Sequence, residues 1–158
     1  MNRTRDLRLG DFLPYRLSIA SNTVSDVIAT TYRALFGLTI PEWRLITVLA
    51  ENEGLSQFGL GAATLMDKVT VSRAAVSLVD RGLVRRSPNL DDKRSHLLWL
   101  TLEGRNLYEQ VAPKALAFED AILSDFKAGE IAQLKSMLLR LQDAALRLAE
   151  NENRNHAS

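Results

Sequence analysis

The stretch LGAATLMDKVTVSRAAVSLVDRGLVRRSPNLDDKRSHLLWLT, residues 60–101, decides the fold of this chain. It opens with two short runs of helical pattern, passes Gly82, and closes with two short β-like runs on either side of a charged turn. Asp67 stands just before the second helical run, where its carboxylate can accept from the free N–H groups of a first turn. Val71, Ala75, Leu78 and Val79 then recur on one face, the buried face of a short helix. The other face carries Lys68, Thr70, Ser72, Arg73 and Ser77, and no carboxylate follows until Asp80. Small hydroxyls let a helix backbone approach a duplex, and a long arginine reaches a base edge or a phosphate. Gly82 supplies the left-handed conformation that ends a helix.

Residues 83–86 read as a first strand and 96–101 as its return, with turn formers and charges between them. The connecting loop is longer than a chain reversal needs. The order helix, turn, helix, hairpin predicts a winged helix-turn-helix, which lays a helix in the DNA major groove and reaches sideways with a basic hairpin. From Lys68 to Arg105 there are eight basic residues against four acidic ones, in a chain whose net charge is +1. That concentration is the footprint of a phosphate-binding surface. Lys68, Thr70, Ser72, Arg73 and Ser77 on the helix, with Arg86, Lys93 and Arg94 on the hairpin, are the candidate contacts to double-stranded DNA. Arg73 and Arg94 have a plainer role open to them, as solvated surface cations. A surface ion pair adds little stability, however, so pairing with Asp91 or Asp92 hardly explains two cations at a hairpin tip.

These residues also form an ordered set of short motifs: Ser72-Arg73, Gly82-Leu83-Val84-Arg85-Arg86, Asp92-Lys93-Arg94, Leu98-Trp99-Leu100-Thr101 and Gly104-Arg105. The set resembles the MarR family of bacterial transcription regulators, and the resemblance extends over roughly residues 13–150. It implies that Arg94 is a wing arginine that enters the minor groove. It implies that Asp92 orients Arg94 or pairs with a nearby arginine such as Arg86. It also sets Thr70 and Arg73 where the recognition helix meets bases and phosphates. One departure stands out: Gly59 and Gly61 fall in the short helix before the turn, and each weakens it by roughly 1 kcal/mol relative to alanine. Close packing against the recognition helix explains them, and a mobile element is the sharper alternative.

Outward from this lobe, Pro14 suits a helix start, and Leu17, Ala20, Val24, Val27, Ile28, Thr31 and Leu35 form one stripe before Gly37. Pro41 opens the next helix, on which Trp43, Ile46 and Leu49 pack. A long helix follows Glu103, with Pro113 expected to kink or break it. In the last helix Ile131, Leu134, Leu138, Leu141, Ala145 and Leu148 alternate by three and four, which demands a second apolar face. The fold expected is mainly α with a small β-hairpin wing, a winged helix-turn-helix carrying N- and C-terminal dimerisation helices. Its parts are an arm and dimerisation helix over 1–36, a DNA-binding lobe over 37–104, dimerisation helices over 105–150 and a disordered tail over 151–158. A homodimer sets two recognition helices about one DNA turn apart on a roughly palindromic site.

The remaining features narrow the function. A composition 46% hydrophobic and 25% charged is that of an ordinary globular protein, and the chain has no cysteine, which removes disulfides, thiolate metal sites and thiol redox sensing. No run is long and apolar enough for a membrane span, so the bacterial cytoplasm is the expected location. His96 and His156 are the only histidines and lack partners at ligand spacing, so neither a metal nor a cofactor is expected. No phosphate loop, nucleophile motif or paired-acid site marks an enzyme. Regulators of the MarR family often respond to aromatic acids or phenols, and Tyr15, Arg16 and Trp43 offer a carboxylate partner and stacking rings for such an effector. It would bind where the dimerisation helices meet the DNA-binding lobes and relieve repression. The reading from another class is a dimeric helical protein-interaction module of the same fold with lost or weak DNA binding.

Overall fold

A computed structural model describes residues 6–156. After a 3-10 turn at Leu9–Asp11 come α1 (Leu13–Phe36), α2 (Ile40–Glu51), β1 (Leu55–Ser56), α3 (Gln57–Thr64) and α4 (Lys68–Asp80). The hairpin β2 (Val84–Pro88) and β3 (His96–Leu100) follows, then α5 (Leu102–Ile122) and α6 (Ala128–His156). This is the mainly helical, winged architecture read from the sequence. Residues up to Glu119 form one compact unit and those from Asp120 a second. No helix among the described residues is long and apolar enough to cross a membrane.

Helix ends in the first unit are set by local chemistry. Pro14 and Pro41 lie in the first turns of α1 and α2, where a missing N–H costs nothing. Thr39 and Glu42 form a capping box on α2: the Glu42 N–H donates to Thr39 Oγ1, and the Thr39 N–H donates to Glu42 Oε2 at 2.7 Å. Gly37 closes α1. At the end of α4 the Leu83 N–H donates to the Leu78 carbonyl and the Gly82 N–H to that of Val79. With Gly82 at φ +69°, this is a Schellman stop that turns the chain directly into the wing.

The core of this unit lies where α2, α3 and α4 meet the sheet. Leu45, Ile46 and Leu49 of α2, Leu60 of α3, Val71 and Leu78 of α4, and Leu98 of β3 are fully buried there. α1 adds Ala29 and Tyr32, and α5 adds Leu107 and Val111, to the same core. The sheet is antiparallel in the order β1-β3-β2, with Arg86 opposite Leu98 and Val84 opposite Leu100. The third strand, β1, pairs Leu55 with Leu98; two residues show no strand periodicity in sequence.

The family-like motif after β3 ties the wing to this core. Thr101 Oγ1 accepts the Gly104 N–H at 3.0 Å, which caps α5, and donates to the Gly82 carbonyl at 2.7 Å. Gly104 lies so close to the Leu83 carbonyl that no Cβ fits between them. Arg105 donates to the Ala50 carbonyl at 3.0 Å and so satisfies the C-terminal end of α2. α5 runs through Pro113 as one helix, so of the kink or break expected there the break does not occur. Glu109 and Pro113 are both exposed, so water can take the carbonyl that proline leaves unbonded.

The second unit consists of the end of α5, a turn and α6, and none of its described residues is buried. Leu134, Leu138, Leu141 and Leu148 keep between 39% and 64% of their surface. α6 continues to His156, which corrects the expectation of a disordered tail from Asn151. Arg154 lies 3.9 Å from Glu150 one turn back, and the stretch holds no proline or glycine to stop the helix. Residues 157–158 lie outside the described part.

Candidate nucleic-acid interface

The helix-turn-helix is built from α3, a three-residue turn and α4. Ser56 caps α3 by accepting the Gly59 N–H at 3.1 Å, and Leu65, at φ +54°, takes the left-handed conformation that closes it. Asp67 caps α4 as its position in sequence indicates. It accepts the Thr70 N–H at 2.9 Å and the Thr70 hydroxyl at 2.6 Å. The Thr70 hydroxyl bond, then the backbone bonds, hold the Asp67 carboxyl below its ordinary pKa. Close packing does not require the two glycines of α3. A Cβ at Gly59 would meet Leu55 Cδ2 at 3.5 Å, and one at Gly61 would meet the Met66 carbonyl at 3.5 Å and Val71 Cγ2 at 3.9 Å, all ordinary contacts.

The buried face of α4 is Val71, Ala74, Ala75 and Leu78. Its outward ridge is Val69, Arg73, Val76 and Asp80, all exposed, with Lys68 exposed at the start and Thr70 and Ser72 half-buried on the flanks. Ser77 corrects the sequence reading: it turns inward and donates its hydroxyl to Glu42 Oε1 at 2.5 Å. The residue is half-buried, and its hydroxyl is engaged by α2. Two signals were missed in sequence. The exposed valines look like core at helical spacing, and Glu42 is the buried acceptor that draws Ser77 in. The Thr39-x-x-Glu42 pattern does reveal Glu42's bond to Thr39. Its bond to Ser77 joins residues 35 positions apart and leaves no local trace.

The eight basic residues from Lys68 to Arg105 divide by what they touch. Arg81 donates to the Phe36 and Gly37 carbonyls at the end of α1 and lies 3.9 Å from Glu42. Arg105 caps α2. The Arg85 guanidinium sits 5.3 Å above the Trp99 ring, whose Nε1 donates to Ser87 Oγ at 2.8 Å. Trp99 is thereby packed between Arg85 and Gly54, where a Cβ would stand 2.5 Å from the indole. Lys68, Arg73, Arg86, Lys93 and Arg94 remain, exposed and in no salt bridge among the described residues.

In the wing turn Asp92 accepts the Arg94 N–H on Oδ1 at 3.0 Å, and its carbonyl accepts the Ser95 N–H. Asn89 Nδ2 donates to Ser95 Oγ at 2.9 Å across the same turn. Asp92 therefore shapes the backbone that carries Arg94, and the pairing with Arg86 is not formed. Arg86, Arg94 and His96 line one side of a groove whose other side is Gln57 and Phe58 of α3. The wing cations thus stand beside the first helix of the helix-turn-helix.

Tyr15, Arg16 and Trp43 do not come together. Trp43 is core, stacked between Tyr32 at 5.4 Å and Tyr108 at 5.9 Å. Tyr15 and Arg16 are exposed in the first turn of α1, and Tyr32 is 17 residues further along, about 25 Å of helix. Burial also pushes the Tyr32 phenol above its ordinary pKa, which marks this aromatic stack as core.

Comparison with known proteins gives the same picture. The family model described as MarR family matches residues 36–95. The chain is 30% identical over 104 residues to the transcriptional regulator HosA of Escherichia coli O127:H6, covering 66% of this chain and 74% of HosA. The fold matches the crystal structure of a MarR/EmrR family transcriptional regulator from Acinetobacter sp. ADP1, with TM-score 0.81, 26% identity, and 89% and 99% of the two chains covered. It also matches Bordetella bronchiseptica BpsR, in a structure concerned with regulation of its DNA binding by 6-hydroxynicotinic acid. There the TM-score is 0.80 at 22% identity, over 87% and 98% of the chains. A lobe of this build, together with 30% identity to a regulator of which 74% is covered, makes the chain a member of the MarR family of DNA-binding transcriptional regulators.

Proposed function

We propose that the chain acts as a homodimeric repressor that holds a roughly palindromic operator through α4 and the wing and releases it when a small aromatic acid or phenol binds. The observation that carries this reading is the division of the basic residues: seven of the eight are exposed, and five of them, on α4 and on the wing, are held by no salt bridge or aromatic contact among the described residues. Lys68 and Arg73, flanked by Thr70 and Ser72, are the contacts assigned to the major groove. Arg86, Lys93 and Arg94 are those assigned to the phosphates and minor groove beside it. Ser77 is left out, because its hydroxyl belongs to Glu42.

The exposed leucines of α6 support the dimer, since so continuous an apolar stripe is stable in water only when covered. The effector class is supported by BpsR, whose DNA binding is regulated by 6-hydroxynicotinic acid. Such an effector must bind one dimer state better than the other, because a ligand with equal affinity for both shifts nothing. Selection from randomised duplexes, repeated with a panel of aromatic acids and phenols that includes 6-hydroxynicotinic acid, tests the proposal. The expected result is a two-fold-symmetric site with half-sites about one helical turn apart, bound less tightly in the presence of one panel member. A single unsymmetrical site contradicts the dimer, and indifference to the whole panel contradicts the effector class.

A further inference from the structure

We propose that Val69 and Val76 read thymine methyl groups, so that each half-site carries two thymines, one on each side of the base pair met by Arg73. The inference rests on the DNA-binding reading of α4 and adds the bases it selects. Val69 is 56% and Val76 44% exposed, although the buried face of α4 is already complete with Val71, Ala74, Ala75 and Leu78. The two valines are therefore not spare core. They lie on one ridge with Arg73, four residues before it and three after it in the case of Val69 and Val76 respectively. Exposed β-branched residues also weaken a helix relative to alanine, so nothing in the helix itself calls for them.

A major groove offers an apolar side chain one apolar target, the C5 methyl of thymine, while an arginine pairs best with the O6 and N7 of guanine. Seven residues of helix span about 10 Å, which is about three base-pair steps at 3.4 Å each. The ridge then reads thymine, a guanine-containing step, and thymine, in that order. The carboxylate of Asp80 ends the ridge one turn beyond Val76 and limits how far the helix can be followed by phosphates.

The test replaces thymines by deoxyuridine, which removes only the methyl group. The full-length protein first selects its site from randomised duplexes, and each thymine under α4 is then exchanged in turn. Loss of one buried methyl corresponds to roughly three- to fivefold in affinity. That loss is expected at two thymines of each half-site. Val69→Ala, which alters both half-sites at once, should lose that amount per half-site on the unmodified site and become indifferent to deoxyuridine at one of the two positions, and Val76→Ala at the other. Both variants place a better helix former at an exposed position, so folding is not at risk. Wild-type binding that is equal for thymine and deoxyuridine at every position overturns this inference and leaves DNA recognition standing. Failure to select any site overturns both.

Discussion

Glu42 shows how one side chain connects three helices. Its carboxylate is buried and accepts from the Thr39 N–H, from the Ser77 hydroxyl and, at longer range, from Arg81, which itself closes the end of α1. Glu42 therefore joins the start of α2 to the last turn of the recognition helix directly, and reaches the end of α1 through Arg81. Replacing it takes from the Ser77 hydroxyl and the Thr39 N–H the acceptor they share. Glu42→Ala should cost about 3 kcal/mol in urea unfolding, the size found when a buried polar network loses its central member. A loss under about 1 kcal/mol would mean that water replaces the carboxylate and that the residue is not the joint described. This joint was half legible. The capping box is written in four consecutive residues, but the Ser77 bond depends on packing that no local pattern carries, which is why Ser77 read as a DNA contact.

At the scale of elements, the pieces that could be read from sequence are those whose ends are set by local chemistry. The Asp67 cap, the Gly82 stop, and the prolines that open α1 and α2 all lie where their residue types indicate. The elements that resisted reading depend on distant partners: β1 exists because Leu98 lies opposite Leu55, and Trp43 is core because Tyr32 and Tyr108 enclose it. α3 is informative for what it lacks. Neither glycine is held by a close neighbour, so the helix is weak by composition and not by constraint. Gly61→Ala should stabilise the protein by about 1 kcal/mol, seen as a raised midpoint in thermal or urea unfolding. Destabilisation would show that the turn between α3 and α4 tolerates no added methyl at the Met66 carbonyl.

For the whole molecule, the proposed dimer gives α6 its cover, because its leucines are exposed along most of its length. Sedimentation equilibrium at micromolar concentration should return twice the 17.6 kDa of one chain. The double change Leu138→Glu with Leu141→Glu should return a folded species of single mass with weakened operator binding, since charges on that stripe oppose its burial. Persistence of the dimer in that variant would move the interface elsewhere. The central claim is that five open cations on α4 and the wing hold DNA. Its most direct measurement is the affinity for the duplex upstream of the coding region, against an unrelated duplex, as salt rises from roughly 50 to 200 mM, for the wild type and for Arg73→Ala and Arg94→Ala. Two lobes with this many phosphate contacts should lose on the order of a thousandfold or more over that range. Arg94→Ala should flatten the salt dependence by about one contact per lobe, and Arg73→Ala should cost about 1–3 kcal/mol per half-site on the preferred duplex only. Weak binding, equal on both duplexes and unmoved by either substitution, would contradict DNA recognition through this surface and leave a helical interaction module in its place.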